Sequence, residues 1–295
     1  MEGHLESFAS AKQLLHTLAG LLNEAGLQLR FPKEERHKET RIIKPLQAST
    51  MPTEIEVHLL PDHFSADQLR GGIAVIVDVL RASTTILTAL HNGAAGIIPC
   101  SSVGDAEAHQ YAGTKVLLGG ERGGIKIDGF DLSNSPAEYS QATVANRTIA
   151  FTTTNGTRAL LRSVEAEQVL IGSFANVTYL AEHLHTTNLP LHIVCAGTNR
   201  EMTGEDVLFA GCLIDRIAGM SALPSALQLT DSATMTLGWW RYESAQRPLA
   251  ETLKQTHGGK NLMALSYDND VELAAELDCC PVLARFSPSS GLITT

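Results

Sequence analysis

The sequence predicts an α/β protein built on a parallel or mixed sheet, and three observations carry that expectation. Short β-branched runs alternate with helical stretches from about Met51 to Leu223, the rhythm of a sheet covered by helices. The chain has 295 residues, 44% hydrophobic and 18% charged, an ordinary globular balance that supports a sizeable core in one or two domains. Its longest apolar run, Gly72 to Leu80, is broken by Asp78 and falls well short of the roughly 20 residues that cross a bilayer.

The elements follow in order. Leu5, Phe8, Leu14, Leu15, Leu18, Leu21 and Leu22 recur at helical spacing, and Lys33 to Lys44 is a mixed-sign charge run that reads as a solvated linker. Residues 1–52 are therefore expected to form an extension, and residues 53–295 the body, with a subdomain boundary near 220 left open. Strands are expected at Glu54–Leu60, Ile73–Val79, Gly96–Cys100, Lys115–Leu118, Thr148–Thr152, Gln168–Ile171 and Leu191–Cys195. Between them Thr84–His91, Val103–Tyr111, Thr157–Val164, Val177–His185 and Glu205–Ala218 have the pattern and length of crossover helices. The C-terminal region reads as mainly helical (Ala233–Ser244, Leu249–Gln255, Asn261–Tyr267, Val271–Leu277) with a late strand at Val282–Phe286.

Composition excludes several classes of function. With 22 Lys and Arg against 32 Asp and Glu the formal charge is −10, which disfavours nucleic acid and anionic membrane as partners. An anionic ligand must then be held by a local basic site or a metal ion. The first residues lack a basic start followed by an apolar core, and the five cysteines show no CxxC spacing, so a cytoplasmic protein with reduced thiols is expected. The eleven histidines contain no HxH or HExxH, which argues against a histidine-based zinc site. No GxSxG elbow occurs, and Cys195 reads as a buried small residue in preference to a nucleophile.

Ligands of open α/β sheets bind beyond the carboxyl ends of strands, so the residues there are the candidate site. VDVLRASTT places Asp78, Arg81, Ser83 and Thr84 after the second strand, either as an anion site or as a helix cap with an Asp78–Arg81 pair. GGERGG sets Glu121 and Arg122 between glycine pairs, as a cation and anion site or as a surface turn; Asn134 and Ser135 follow, before Pro136. TTTNGT supplies Thr153, Thr154, Asn155 and Gly156, and GSFAN supplies Asn176. Glu205 and Asp206 open a helix, where the dipole alone also favours acids. Carboxylates, arginines and hydroxyls converging on one sheet edge suggest a magnesium-assisted reaction on a phosphate ester.

At these residues the chain resembles the 2-phosphosulfolactate phosphatase family, associated with coenzyme M biosynthesis. The resemblance runs from about Ile55 to about Ile293 through VDVLRASTT, GERGG with GFDLSNSP, TTTNGT, GSFAN, CAG with EDVLFAG, and DSA at Asp231–Ala233. It implies a three-layer α/β/α fold, Mg²⁺ as cofactor, and hydrolysis of (2R)-2-phospho-3-sulfolactate, or of a related phosphorylated sulfonate or carboxylate. On that reading Asp78, Glu121 and one or both of Glu205 and Asp206 hold the metal, while Arg81 and Arg122 grip the anionic groups. Ser83, Thr84, Thr153, Thr154 and Asn155 complete an oxyanion cradle, with Asn134, Ser135, Gly156 and Asn176 on the substrate side. The alternative is a non-catalytic module that senses a small organophosphate or sulfonate. Homo-oligomerisation stays open.

Overall fold

A computed structural model describes residues 52–111, 116–220 and 227–295. The helix and charged linker expected in the first fifty residues lie outside the described residues. The strands are β1 (Ile55–His58), β2 (Ile73–Val77), β3 (Gly96–Pro99), β4 (Val116–Arg122), β5 (Ile125–Lys126), β6 (Thr148–Thr152), β7 (Gln168–Gly172), β8 (Leu191–Cys195), β9 (Arg285–Ser287) and β10 (Leu292–Thr294). The helices are α1 (Ala82–His91), α2 (Val103–Tyr111), α3 (Gln141–Val144), α4 (Gly156–Arg162), α5 (Val177–His185), α6 (Gly204–Met220), α7 (Asp231–Gln246), α8 (Leu249–Gln255), α9 (His257–Ala264) and α10 (Asp268–Ala274).

One mixed sheet runs β1-β8-β2-β7-β9-β10-β3-β6-β4-β5. It contains two parallel groups: β1, β8, β2 and β7 on one side, and β3, β6 and β4 on the other. The C-terminal hairpin β9–β10 sits between them and pairs antiparallel with β7 and with β3. Every residue of β2 and β8 is buried, as expected of strands flanked on both edges and covered on both faces. Three successive antiparallel pairings reverse strand direction between the groups. A twist of roughly 20–25° per strand accumulates to about 100–125° over the five steps from β2 to β6, which turns that reversal into an acute crossing. The carboxyl ends of β2, β4 and β6 therefore converge.

Alternation along the strands divides the core into layers. Ile73, Val75, Val77, Leu170 and Ile193 face α5 and α6, and residues from α7 to α10 (Ala233, Leu253, Leu262, Val271) join that same cluster. Ala74, Ile76, Ile97, Ile149, Phe151 and Ile171 face the other way, against Leu87 and Leu90 of α1 and Leu160 of α4. Beyond the hairpin, Val116, Leu118 and Ala150 pack with Ala106 of α2. The result is an α/β/α sandwich. Phe209 of α6 is fully buried and meets Phe174 edge to face at 5.5 Å, so its truncation to alanine should cost about 3–5 kcal/mol.

Several boundaries differ from the sequence reading. The expected strand ending at Leu118 continues to Arg122, because Gly119 and Gly120 pair with Phe151 and Thr152 instead of opening a loop. Helix α9 starts at His257, ahead of the expected Asn261, since Thr256 caps it by accepting from the Gly259 N–H at 3.1 Å. The late strand is Arg285–Ser287, and its partner β10 went unread because three residues carry no period.

Candidate active site

The apolar run of β2 ends at Val77, and Asp78 begins the turn into α1. That turn closes on itself. The Asp78 N–H donates to Ser83 Oγ at 2.9 Å, Ser83 Oγ donates to the Ile76 carbonyl at 3.3 Å, and Thr84 Oγ1 donates to the Val79 carbonyl at 2.8 Å. Ser83 and Thr84 thus shape the loop and do not line the cleft. Asp78 Oδ1 accepts from the Ala82 N–H at 3.3 Å while the carboxylate lines the cleft wall. Burial is the main force pushing its pKa up to about 7, and the charges of Glu121 and Glu205 push the same way.

Glu121 stands at the end of β4. Its Oε2 accepts from the Gly124 N–H at 2.7 Å, and its Oε1 from the Thr154 N–H at 2.8 Å and Oγ1 at 2.9 Å. One carboxylate therefore ties the β4–β5 turn to the β6–α4 turn, so Glu121 is held in place and not carried on a mobile loop. Arg122 beside it is exposed and points elsewhere, donating to the Glu121 carbonyl at 2.7 Å and to Thr152 Oγ1 at 2.9 Å. Gly156 begins α4 where a side chain has no room: a Cβ there would lie 2.8 Å from Asp78 Oδ2 and 2.9 Å from Ala82 Cβ.

Glu205 and Asp206 are both buried in the first turn of α6, and burial raises both pKa values. Asp206 Oδ1 accepts from the Val79 N–H at 2.9 Å, and Oδ2 from Gly197 at 3.0 Å and Thr203 at 3.3 Å. It locks the ends of β2 and β8 together and stands behind the cleft. Glu205 is hydrogen-bonded by Thr256, by the Gly258 N–H and by Thr203, yet its Oε2 has no partner among the described residues. Gly258 lines the cleft and lies so close to Glu205 Oε1 that no Cβ could fit.

A cleft of about 370 Å³ is lined by Asp78, Arg81, Glu121, Asn134, Thr154 and Asn155 together with segments of α9, and Glu205 and Asp206 are outside that lining. Arg81 is its cation. Its Nη1 contacts Asp270 Oδ2 at 2.7 Å, its Nη2 donates to the Gly124 carbonyl at 2.6 Å, and its guanidinium lies 4.3 Å from the Tyr267 ring centroid. Ser135 Oγ donates to Asp270 Oδ1 at 2.6 Å, so Ser135 supports the ion pair. Asn134 Oδ1 is buried on the cleft wall with no partner among the described residues. Thr153 pairs with Thr157 at 3.4 Å, and Asn176 donates to the Ile171 and Val282 carbonyls at 3.2 and 3.1 Å; neither lines the cleft.

Sequence reasoning missed Asp270, Tyr267, Gly258 and Asn261, which belong to the short C-terminal helices and their connections far from the strand ends, and Asn199, which follows β8 by four residues. The acid excess around Asp78 suits a hard divalent cation. Asp78 and Glu121 bring carboxylates to the cleft, Glu121 already accepting hydrogen bonds at both oxygens; Glu205 stands outside the lining against Gly258, and among the described residues neither imidazole nor thiol lines the cleft.

An α/β sandwich whose strand ends gather buried carboxylates and one fixed guanidinium is the framework of an enzyme acting on a small anion. A family model described as 2-phosphosulpholactate phosphatase matches residues 58–288. A "Probable 2-phosphosulfolactate phosphatase" of Caldicellulosiruptor saccharolyticus is 36% identical over 75% of this chain and 91% of its own length. Proteins with the same name from Clostridium botulinum and Symbiobacterium thermophilum are 35% and 37% identical, over 78% and 75% of this chain and 96% and 94% of theirs. The chain belongs to the 2-phosphosulfolactate phosphatase family.

Proposed function

We propose that this protein hydrolyses the phosphate monoester of (2R)-2-phospho-3-sulfolactate, releasing 3-sulfolactate and phosphate, with Mg²⁺ as its metal. The family and the names of its relatives support the reaction. The observation that carries it to these residues is the placing of Asp78, Glu121 and Arg81 around one cleft, with opposite charges fixed before any ligand arrives. Asp78, Glu121 and Glu205 would hold the ion, which supplies charge stabilisation for the phosphoryl oxygens. Arg81 binds an anionic group of the substrate; its Asp270 and Gly124 contacts orient the guanidinium and limit the entropy lost on binding. Asn134 offers a fixed amide to a second polar group.

Among the described residues no helix is long and apolar enough to cross a membrane. The reading of a cytoplasmic enzyme is supported by five cysteines that all stand as free thiols. Phosphate release measured over a panel of 2-phospho acids, with Mg²⁺ or with EDTA, tests the proposal. Release from 2-phosphosulfolactate that EDTA abolishes is expected; tight binding with no release from any member would make the protein a sensor.

A further inference from the structure

Glu56 and His58 lie two apart on β1 and so share one face of the sheet. The β1–β8 register sets Glu56 directly opposite His192, which faces the same way. His58 Nε2 and His192 Nδ1 are 3.1 Å apart, and Glu56 Oε2 lies 3.7 Å from the first and 3.6 Å from the second. Four donor atoms around a tetrahedral zinc ion, with bonds of about 2.0–2.1 Å, stand about 3.3–3.4 Å from one another. The three atoms already form that triangle.

We propose that Glu56, His58 and His192 form a second metal site, for Zn²⁺ or a similar borderline divalent ion, which staples β1 to β8. None of the three residues lines the cleft described above. A hydrogen-bond network is a poorer account of them. One imidazole proton satisfies the His58–His192 contact, while the Glu56 oxygen, which bears on His192, stands 3.6–3.7 Å from both ring nitrogens, longer than a well-formed hydrogen bond.

The rings are also held in place. His58 lies 4.5 Å from the Phe64 ring, and His192 packs so closely on Gly72 that a Cβ there would stand 2.9 Å from the imidazole. Glu56 is the half-exposed member, which leaves the ion a way in. Imidazole selects against Mg²⁺, so the two sites sort ions by donor type. The sequence concealed this site because its third ligand lies 134 residues from His58.

The experiment uses the full chain carrying Asp78→Asn, to suppress metal binding in the cleft, dialysed against Zn²⁺ in excess Mg²⁺. One Zn²⁺ per chain and a raised melting temperature are expected, with Co²⁺ in its place giving the visible absorption of a tetrahedral site. His192→Asn should abolish both effects. Glu56→Gln, at a half-exposed position that leaves the fold intact, should weaken affinity by more than about tenfold. No Zn²⁺ retained in the Asp78→Asn protein, or a smaller loss on Glu56→Gln, overturns the site.

Discussion

Arg81 and Asp270 stand 189 positions apart in the chain and 2.7 Å apart in space, each with only 2% of its side chain exposed. The pair joins the turn after β2 to the start of α10 at the wall of the cleft. Removing one partner strands a buried charge, so Asp270→Ala should cost about 3–5 kcal/mol in denaturant unfolding. Asp270→Asn keeps the shape but frees the guanidinium, and should lower kcat/KM by at least about tenfold while leaving cooperative unfolding intact. Activity equal to the parent would remove Arg81 orientation from the mechanism.

The two arginines of the sequence reading should separate. Arg81→Lys loses a planar fork that makes contacts in two directions, and an about hundredfold fall in kcat/KM is expected. Arg122 is exposed and bonded to Glu121 and Thr152 outside the cleft lining, so Arg122→Lys should stay within about tenfold of the parent. Steady-state kinetics on 2-phosphosulfolactate and phospholactate decide this. A larger loss for Arg122→Lys on the sulfonate alone would restore it as a sulfonate ligand.

Asp78 gives the metal-free protein a pH dependence. Its carboxyl is pushed up from 3.8 to about 7 in the fold, mainly by burial. Between those values the folded chain holds a proton that the unfolded chain has lost, so this contribution to stability is full below about pH 4 and is lost as pH rises through about 7. Buried Glu205 and Asp206 act in the same direction. Melting in EDTA should therefore fall between about pH 5 and about pH 8, and Mg²⁺ should restore stability at the upper end. Asp78→Asn should flatten the slope and depress turnover by about two or more powers of ten.

How much of this was legible depended on where each residue sits in the chain. Asp78, Arg81, Glu121, Thr154 and Asn155 were readable because strand ends in an α/β pattern are where ligands bind, and all five line the cleft. Ser83, Thr84 and Thr153 have the right chemistry at the right positions, yet their polar atoms are consumed in closing their own turns, and Asn176 spends its amide on its own turn and on the Val282 carbonyl. Sequence shows a hydroxyl but not its hydrogen-bond partner. Asp270 was invisible for the opposite reason: it lies in the first turn of the short helix α10, far from any strand end, and only tertiary packing brings it to Arg81.

Cys195 ends β8, fully buried among apolar side chains, and its thiol is pushed well above the usual range by burial, with the acids Asp206 and Glu205 adding to the effect. A thiol so held is no nucleophile near neutral pH. Cys195→Ser should lower the melting temperature yet keep kcat within about tenfold of the parent. Loss of several powers of ten in a cooperatively folded variant would reverse that conclusion.

Residues 1–48 precede the 58–288 family match. Their deletion should leave phosphate release within about twofold of the full chain, checked by assay and by thermal melting of both proteins. An insoluble or inactive truncation would assign the extension to the body.

The β9–β10 hairpin imposes an order of events on the polypeptide. Each parallel group can pair its own strands early, but the seam between them is made of residues 285–294, and Phe286 and Ile293 fill the layer that α1 and α4 cover. During synthesis the growing chain therefore carries two half-sheets with open facing edges, on β7 and β3, until its final strands arrive. Such late, distant pairing slows folding. A chain ending before Arg285 would lack the keystone of the sheet while keeping every residue of the cleft.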